Sequence, residues 1–521
     1  MVKEGMAERF VTVDRMTPML LPEDLRNWVD EDDLVHFVIE AVERMDLRGF
    51  RVNVRGTGDA QYPPSMMLSL LIYCYANGIF SSRRIEAATR RDVAVRYLCA
   101  NTHPDHDTIC RFRRENFAAV ADCFLKVLEL AREMKLLKVG VVSVDGTKIR
   151  ANASKHRNVT YERAGELVEL LRADVAELLE QAEEADRREE ADPGKLPEEI
   201  GRRQRLKEKL EEAQRRLEER AKERAERERA EYERKVKERE ARKGSAKGRH
   251  IQPPEEKPGA EEQANLTDPE SRLMRRSRNE AFEQSYNAQA AVDADGSALV
   301  LSARVSVCAN DIGELEADVR AIPTEAGRVR AVLVDTGYAN GEQVEALQAE
   351  GIEVYCAMRA EALECRRRYE FRPADRRREK PVEYTAPWRR KMIEKLASPD
   401  GRRLYARRKQ TVEPVFGIIK SVMGFRAFRL RGQAKVQGEW SLVCLAYNFK
   451  RLWKLMGGRR IGPSQGGITG SPSIASLSTL LGALVAVSTS ALLGFGRKIL
   501  ATPEGRFRNH CGSLALTPTS C

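Results

Sequence analysis

Between residues 161 and 264 this chain carries too few apolar residues for a good core. The stretch "RRQRLKEKLEEAQRRLEERAKERAERERAEYERKVKEREARKG" is almost all Glu, Lys, Arg, Ala and Gln. Opposite charges three and four apart suit a solvated helix or a helical hairpin, broken once at "ADPGKLPEE". Coiled-coil pairing is a further option, although no clean heptad is sustained. "GSAKGRHIQPPEEKPGAEEQ" then closes the segment as a linker. We read 161–264 as an insertion, because a long surface insertion adds little closure entropy. The fold must therefore assemble from residues on both sides of it. The role of the insertion is either none or contact with DNA or a partner.

The flanks read as an α/β layout. "VGVVSVDGTKIRANAS" (139–154) runs as a strand into Asp145, and "AVLVDTGYAN" (331–340) runs four apolar residues into Asp335. "YNAQAAVDADGSALVLSARV" (286–305) predicts two strands joined at "DADG". "NDIGELEADVRAI" and "GEQVEALQAEG" read as helices and "IEVYCAMR" as a strand. The order is strand, insertion, hairpin, helix, strand, helix, strand, basic segment, helices. Asp293 reads as a hairpin residue and Asp311 as a helix start.

The first 125 residues look helical. "DDLVHFVIEAVERM" repeats apolar positions at helical spacing, and "PSMMLSLLIYCYANG" is apolar almost throughout. In "HPDHDTICRFRREN", Asp105 or Asp107 caps a helix that carries Arg111, Arg113 and Arg114. That arrangement is either a helix-turn-helix, with Arg111 and Arg113 at DNA, or a surface-charged helix of a bundle.

A length of 521 residues allows two or more domains, and a net charge of +11 favours a polyanionic partner. The cations concentrate between 364 and 410, where Arg389, Arg390, Arg408 and Lys409 stand among others. Tyr369, Phe371, Tyr384 and Trp388 lie between them. Cations meet phosphates and flat rings stack on bases, so this segment is expected to contact nucleic acid.

The ten cysteines are scattered singly, with no CxxC pair and no Cys/His cluster, which argues against zinc. The start, "MVKEGMAERF", lacks the apolar core of a signal peptide, so a reducing cytoplasm is expected. From 456 the chain becomes a linker, followed by "IASLSTLLGALVAVSTSALLGFG" (474–496). That stretch is long enough to span a bilayer but rich in Ser, Thr, Gly and Ala. We expect a low-complexity tail rather than a membrane anchor.

A third acid follows the basic segment in "RRKQTVEPVFGIIKSVMGFRAF". Val412, Val415, Phe416, Ile419 and Met423 form one helical stripe, Glu413 borders it, and Pro414 suits the first helical turn. Lys420 lies two turns on, on the side of Glu413. Three carboxylates from two strands and a helix make an oxygen-only site for hard cations. Two magnesium ions in such a site can activate a nucleophile and stabilise a leaving oxygen in phosphoryl transfer. Taken singly, each acid reads as a cap or turn residue. The case rests on all three, in order, beside a basic segment.

On "VSVDGTKIRANAS", "FEQSYNAQAAVD", "VLVDTGYAN" and "RRKQTVEPVFGIIK" the chain resembles the DDE transposases of bacterial insertion sequences. The type is the one numbered eleven eighty-two, related to the types numbered four and five. "QYPPSMMLSLLIYCYANGIFSSRRIEAATRRDVAVRYLCANTHPDHDTICRFR" is similar to their amino-terminal domain. The resemblance covers roughly 10–455. It implies a ribonuclease-H-like catalytic core with a helical N-terminal domain (1–125) and a charged helical insertion. The core would occupy 126–160 and 265–455, followed by the tail from 456 to 521. It makes Asp145, Asp335 and Glu413 the first, second and third catalytic acids and the ligands of Mg2+ or Mn2+, as two ions. The related group's Tyr, Arg, Glu, Lys signature falls on Tyr405, Arg408, Glu413 and Lys420. One extra residue separates Arg408 from Glu413, so either Arg408 or Lys409 answers to its arginine. These basic residues are implied to contact DNA phosphates. The implied activity is metal-dependent strand cleavage and strand transfer at element ends. The implied partners are terminal repeats, target DNA and a second copy in a homodimer, without a membrane. No GxxxxGK[ST] motif occurs, in keeping with chemistry that needs no nucleotide. The second reading is a DNA-binding protein derived from a transposase and lacking catalysis. The intact set of acids argues against it.

Overall fold

The structure is a computed structural model that describes residues 24–52, 61–187, 196–241, 252–275, 279–358 and 386–457. Six helices lead it: α1 (Leu34–Glu43), α2 (Pro64–Ala76), α3 (Ser82–Arg91), α4 (Val93–Leu98), α5 (His106–Glu115) and α6 (Phe117–Glu133). The all-apolar α2 is buried on every side from Met67 to Ala76, as a helix without a polar face must be. Asp105 caps α5, its Oδ1 accepting from the Thr108 amide at 2.7 Å.

Strand β1 (Val141–Arg150) follows, and the insertion leaves directly after it. The insertion comprises β2 (Asn158–Thr160), α7 (Tyr161–Arg187), α8 (Leu196–Ala241) and β3 (Gln263–Asn265). The composition suggested that it could not build a good core, yet it has a small one at its base. Ala164, Val168 and Leu171 of α7 meet Leu210, Ala213 and Leu217 of α8, with Val159 and Ala264 below them. A few apolar residues suffice because they recur three and four apart on one stripe of each helix. The pairing of Val159 with Ala264 brings the two ends of the insertion together, so the sheet is not interrupted. Ion pairs such as Arg172–Glu211 at 3.2 Å link the helices at the surface.

The sheet resumes with β4 (Arg272–Met274), β5 (Glu283–Asp293) and β6 (Val300–Ser306). It then takes in α9 (Leu315–Arg320), β7 (Ala331–Val334), α10 (Gly341–Ala349) and β8 (Glu353–Cys356). Its order is β6–β5–β1–β7–β8, with β4 also pairing with β5. β1 runs antiparallel to β5 and parallel to β7, and β7 runs parallel to β8. Val141 to Val144 are all buried, as expected of a central strand covered on both faces. The hairpin expected at "DADG" is β5–β6, bent by a register shift at Ala291/Val292.

The chain then forms α11 (Pro387–Ala397), α12 (Pro399–Ala406), α13 (Arg408–Gly417), a π-helical turn at Ile418–Val422 and α14 (Gln433–Gly457). Pro414 lies inside α13 and not in its first turn. Its ring nitrogen has no hydrogen for the Gln410 carbonyl, and the helix widens into the π turn just beyond it. α14 covers the edge strand β6. Gln437 accepts from the Val305 amide and donates to the Ala303 carbonyl, both at 2.7 Å. Asn448 accepts from the Val300 amide at 2.9 Å and donates to the Val300 carbonyl at 2.8 Å. Main-chain groups of an otherwise one-sided strand are thereby satisfied. The N-terminal helices dock on α14 as well: Lys450 donates to the Ala76 carbonyl at the end of α2 at 2.7 Å.

Residues 359–385, which hold much of the basic, aromatic-studded segment, lie outside the described residues, as does the apolar stretch 474–496. Among the described residues no helix is long and apolar enough to cross a membrane.

Candidate active site

β1 places Asp145 and Thr147 on one face of the sheet, beneath α13. β7 stops at Val334, and Asp335 opens a short turn whose Gly337 amide donates to its Oδ1 at 2.7 Å. Asp335 therefore serves as a turn residue and also stands beside Asp145. The chain around it is held from both sides. Tyr405 donates its hydroxyl to the Val334 carbonyl at 3.0 Å, and the Cys356 thiol points at the Asp335 carbonyl at 3.2 Å. Tyr405, expected at DNA, here bonds the last residue of β7, just before Asp335.

α13 brings Glu413 and Arg408 to the same place. The Arg408 guanidinium donates from Nη2 to Asp145 Oδ2 at 3.0 Å and from Nη1 to Glu413 Oε1 at 3.0 Å. It stands 3.9 Å from Asp335 Oδ2. All three predicted acids thus turn toward one cation. Arg408, expected at DNA, has a side chain 9% exposed that bonds Asp145 and Glu413 in this structure. The extra residue before Glu413 leaves Arg408 five positions away, close enough for the bond between them. Lys409, the alternative, is exposed.

Burial pushes the Asp145 carboxyl up to about 7, against the pull of Arg408 and with Asp335 and Asp311 pushing the same way. Burial opposes the charge of Arg408, but Asp145, Asp335 and Glu413 together hold the guanidinium above its ordinary value. Lys420, in the π turn, hydrogen-bonds Thr147 Oγ1, two residues beyond Asp145 on the same face.

A fourth acid adjoins the three. Asp311 is not the start of α9, whose N-cap is Glu314. Its Oδ1 accepts from Asn287 at 2.7 Å and from Gln289 at 2.6 Å, both on β5. Gly146 makes room for this group. A Cβ there would lie 2.4 Å from Gln289 Nε2, 2.5 Å from Asp311 Oδ1 and 2.8 Å from Asn287 Oδ1. No spacing along the chain points from Asp311 to Asp145. The signal is the "DG" at 145–146, where a glycine follows the buried run Val141–Val144 within the same strand.

The remaining expected residues divide. Arg113 is corrected: it is buried on the core side of α5, donating to Tyr75 Oη at 2.8 Å and to the Phe80 carbonyl at 3.1 Å. Arg111 is exposed, as is Arg390. Arg389 lies over its neighbour Trp388, 5.2 Å from the ring centre. Asp293 is a hairpin residue, accepting from Ser297 Oγ at 2.6 Å.

The carboxylates share the Arg408 guanidinium, and among the described residues no three acid, His or Cys side chains cluster tightly enough for one metal ion. The donor set is nonetheless all oxygen, anionic and crowded, which suits a hard divalent cation. Asp145, Asp335 and Glu413 are the residues that would hold one, in exchange for their bonds to Arg408.

Two family models match the chain. One, described as Transposase DDE domain, covers residues 260–449, and the other, described as Transposase domain (DUF772), covers residues 23–115. The first includes Asp335, Arg408 and Glu413. Asp145 falls outside both matches, so its place in the site rests on strand register and on its bond to Arg408. No curated protein and no solved structure matches the chain.

Proposed function

Taking as premise that the chain belongs to the DDE transposases of insertion elements, we propose that it binds the element's ends and cuts and joins DNA there. Asp145, Asp335 and Glu413 are its catalytic carboxylates, carried on a ribonuclease-H-like core. The observation that carries this reading is their convergence, from two strands and a helix, on one buried guanidinium. A bound divalent ion, as Mg2+ or Mn2+ and as a pair, supplies charge stabilisation at the phosphodiester and a more acidic attacking water.

The residues of the chain divide the remaining work. Asp145 is fixed by the central strand and Asp335 by the turn that Tyr405 supports. Glu413, with its side chain 49% exposed, is the acid most open to arriving DNA. Lys420 and Lys409 offer positive charge to phosphates beside it. In the first step water forms a bond to phosphorus, the bond to the 3′ oxygen breaks, and a 3′-hydroxyl and a 5′-phosphate result. In the second that hydroxyl attacks a target phosphodiester and displaces another 3′ oxygen. One phosphodiester is exchanged for another, so no nucleotide cofactor is consumed. Two ends joined in one event call for two copies of the chain on the DNA, acting in the cytoplasm.

A second reading, a DNA-binding relative without catalysis, draws on Arg408 standing among the acids. A cleavage assay separates the two. Protein is incubated with DNA carrying the flanking terminal repeat in Mg2+, Mn2+ or EDTA, with Asp335→Asn in parallel. Metal-dependent nicking at the repeat boundary, lost in the variant, supports the transposase. Binding without cutting in every condition supports the second reading.

A further inference from the structure

A basic pocket of about 560 Å³ lies at the start of β1, lined by Lys138, Arg330, Arg407 and Arg451 together with Asp293 and Asp295. The four cations come from four separate places in the chain. Lys138 precedes β1, Arg330 precedes β7, Arg407 caps the start of α13, and Arg451 belongs to α14.

The two acids are already engaged. Asp293 is fully buried and accepts from the Ser297 amide at 3.0 Å and from its hydroxyl at 2.6 Å. Asp295 accepts from the Val141 amide at 2.9 Å and from Arg407 Nη1 at 2.8 Å. Arg451 donates from Nε to the Ser297 carbonyl at 2.7 Å. That leaves Lys138 and Arg330, both exposed and without a side-chain hydrogen bond or ion pair among the described residues. The pocket therefore holds two cations that no carboxylate among the described residues pairs with directly.

The backbone around it is shaped to allow this. Val139, between Lys138 and Gly140, is buried with a φ of 29°, a conformation costly for a β-branched residue, and Ala298 on the pocket wall has a φ of 53°. At Gly140 a Cβ would lie 2.6 Å from Arg330 Nη2 and 2.7 Å from Asp295 Oδ2, so glycine is required for Arg330 to lie over the strand.

We propose that this pocket binds a phosphate of the DNA backbone, gripped by Lys138 and Arg330. The proposal rests on the reading of the chain as a DNA-processing enzyme. Unpaired cations recognise phosphate, and the lining contains no aromatic side chain on which a base could stack. The contact therefore positions DNA without reading its sequence. Asp145 lies four steps along β1 from Val141, about 13 Å at strand rise. That is less than half a helical turn of DNA, about 17 Å, so one duplex can reach both places. Adjacent residues serve the two: Arg408 turns to the carboxylates and Arg407 to the pocket.

The test is duplex DNA binding by the full chain in EDTA across a salt series, comparing wild type with Lys138→Ala/Arg330→Ala and with Lys138→Glu/Arg330→Glu. Both residues are exposed, so thermal melts are expected to match wild type. The alanine pair is expected to weaken binding about tenfold at low salt and to lower the slope of log K against log salt by about one. The glutamate pair is expected to weaken it further. Wild-type slopes in both variants would overturn the pocket while leaving the DNA reading in place. Failure of the wild type to bind DNA would overturn both. A parallel titration with inorganic phosphate distinguishes the source. Phosphate binding lost in the variants, with DNA binding unchanged, would assign the pocket to free phosphate and overturn the DNA contact.

Discussion

Arg408 and Asp145 are joined by a 3.0 Å hydrogen bond across 263 residues of chain, and the charged insertion lies between them in sequence. The bond places a cation where the acids of two strands and a helix converge. Without it Asp145 would be a buried carboxylate beside two others. Removing one partner of a buried pair typically costs about 3–5 kcal/mol, because the remaining charge is left uncompensated. Arg408→Ala is expected to lower the melting temperature in EDTA and to regain more of it in Mg2+ than wild type does. Thermal melts with and without the ion check this. An equal magnesium response in the two proteins would mean that Arg408 and the ion do not share the same oxygens.

The same geometry gives the three acids equal weight in an activity assay. Asp145→Asn, Asp335→Asn and Glu413→Gln each keep the size of the side chain and remove a charge that one substrate phosphate and its metal would need. Each is expected to lower nicking of terminal-repeat DNA by about 10³-fold, while DNA binding in EDTA stays within a few-fold of wild type. A variant that keeps cutting would remove its residue from the set.

The end of β7 was legible because its apolar run stops at Asp335, whereas the same signal at Asp145 does not end a strand, since β1 runs on to Arg150 in register with β5. The insertion was legible from composition, and the hairpin from its turn. The direction of a side chain was not legible. Arg408 and Lys409 are neighbours of the same charge, yet one enters the site and the other faces solvent. Arg113 looked like any arginine of a charged helix, although it stands four residues after Ile109 and shares its buried face. Asp311 depends on two amides of β5 and on a glycine in β1, contacts that no local pattern encodes. Pro414 carries a strong local preference for a first turn, which tertiary packing overrides.

Asp318 provides a pH test away from the site. One carboxylate oxygen takes a bond from Arg304, and the other is buried with no hydrogen-bond partner among the described residues. Burial pushes this carboxyl up to about 7, against the pull of Arg304 and with Glu314 and Asp311 pushing the same way. An unfolded Asp titrates near 3.8. Between those values the folded protein keeps a proton that the unfolded chain has lost. Stability from this group is therefore full below about pH 4 and falls as pH rises toward about 7. Asp318→Asn has no such loss, so its melting temperature relative to wild type should climb from pH 4 to 7 and then level off. A difference independent of pH would show that Arg304 keeps Asp318 ionised throughout.

The last prediction concerns how the N-terminal helices are held against α14. Gly438 lies inside that helix, where replacing glycine by alanine ordinarily gains about 1 kcal/mol. Here the added Cβ would stand 2.2 Å from Phe117 Cγ and 2.3 and 2.6 Å from the two flanking ring carbons. Cγ is the root of the ring, so spinning the ring about its own axis does not relieve the clash. Overpacking of this kind costs about 1–3 kcal/mol and outweighs the helical gain. Gly417, in α13, has nothing within 4 Å of its would-be Cβ and provides the control. Gly438→Ala should lower the melting temperature and Gly417→Ala should raise it by a few degrees. Opposite signs from the same substitution in two helices would show that the Phe117 contact, not helix propensity, decides the outcome at 438. If Gly438→Ala is as stable as wild type, the seam between α6 and α14 is loose enough to absorb a methyl group.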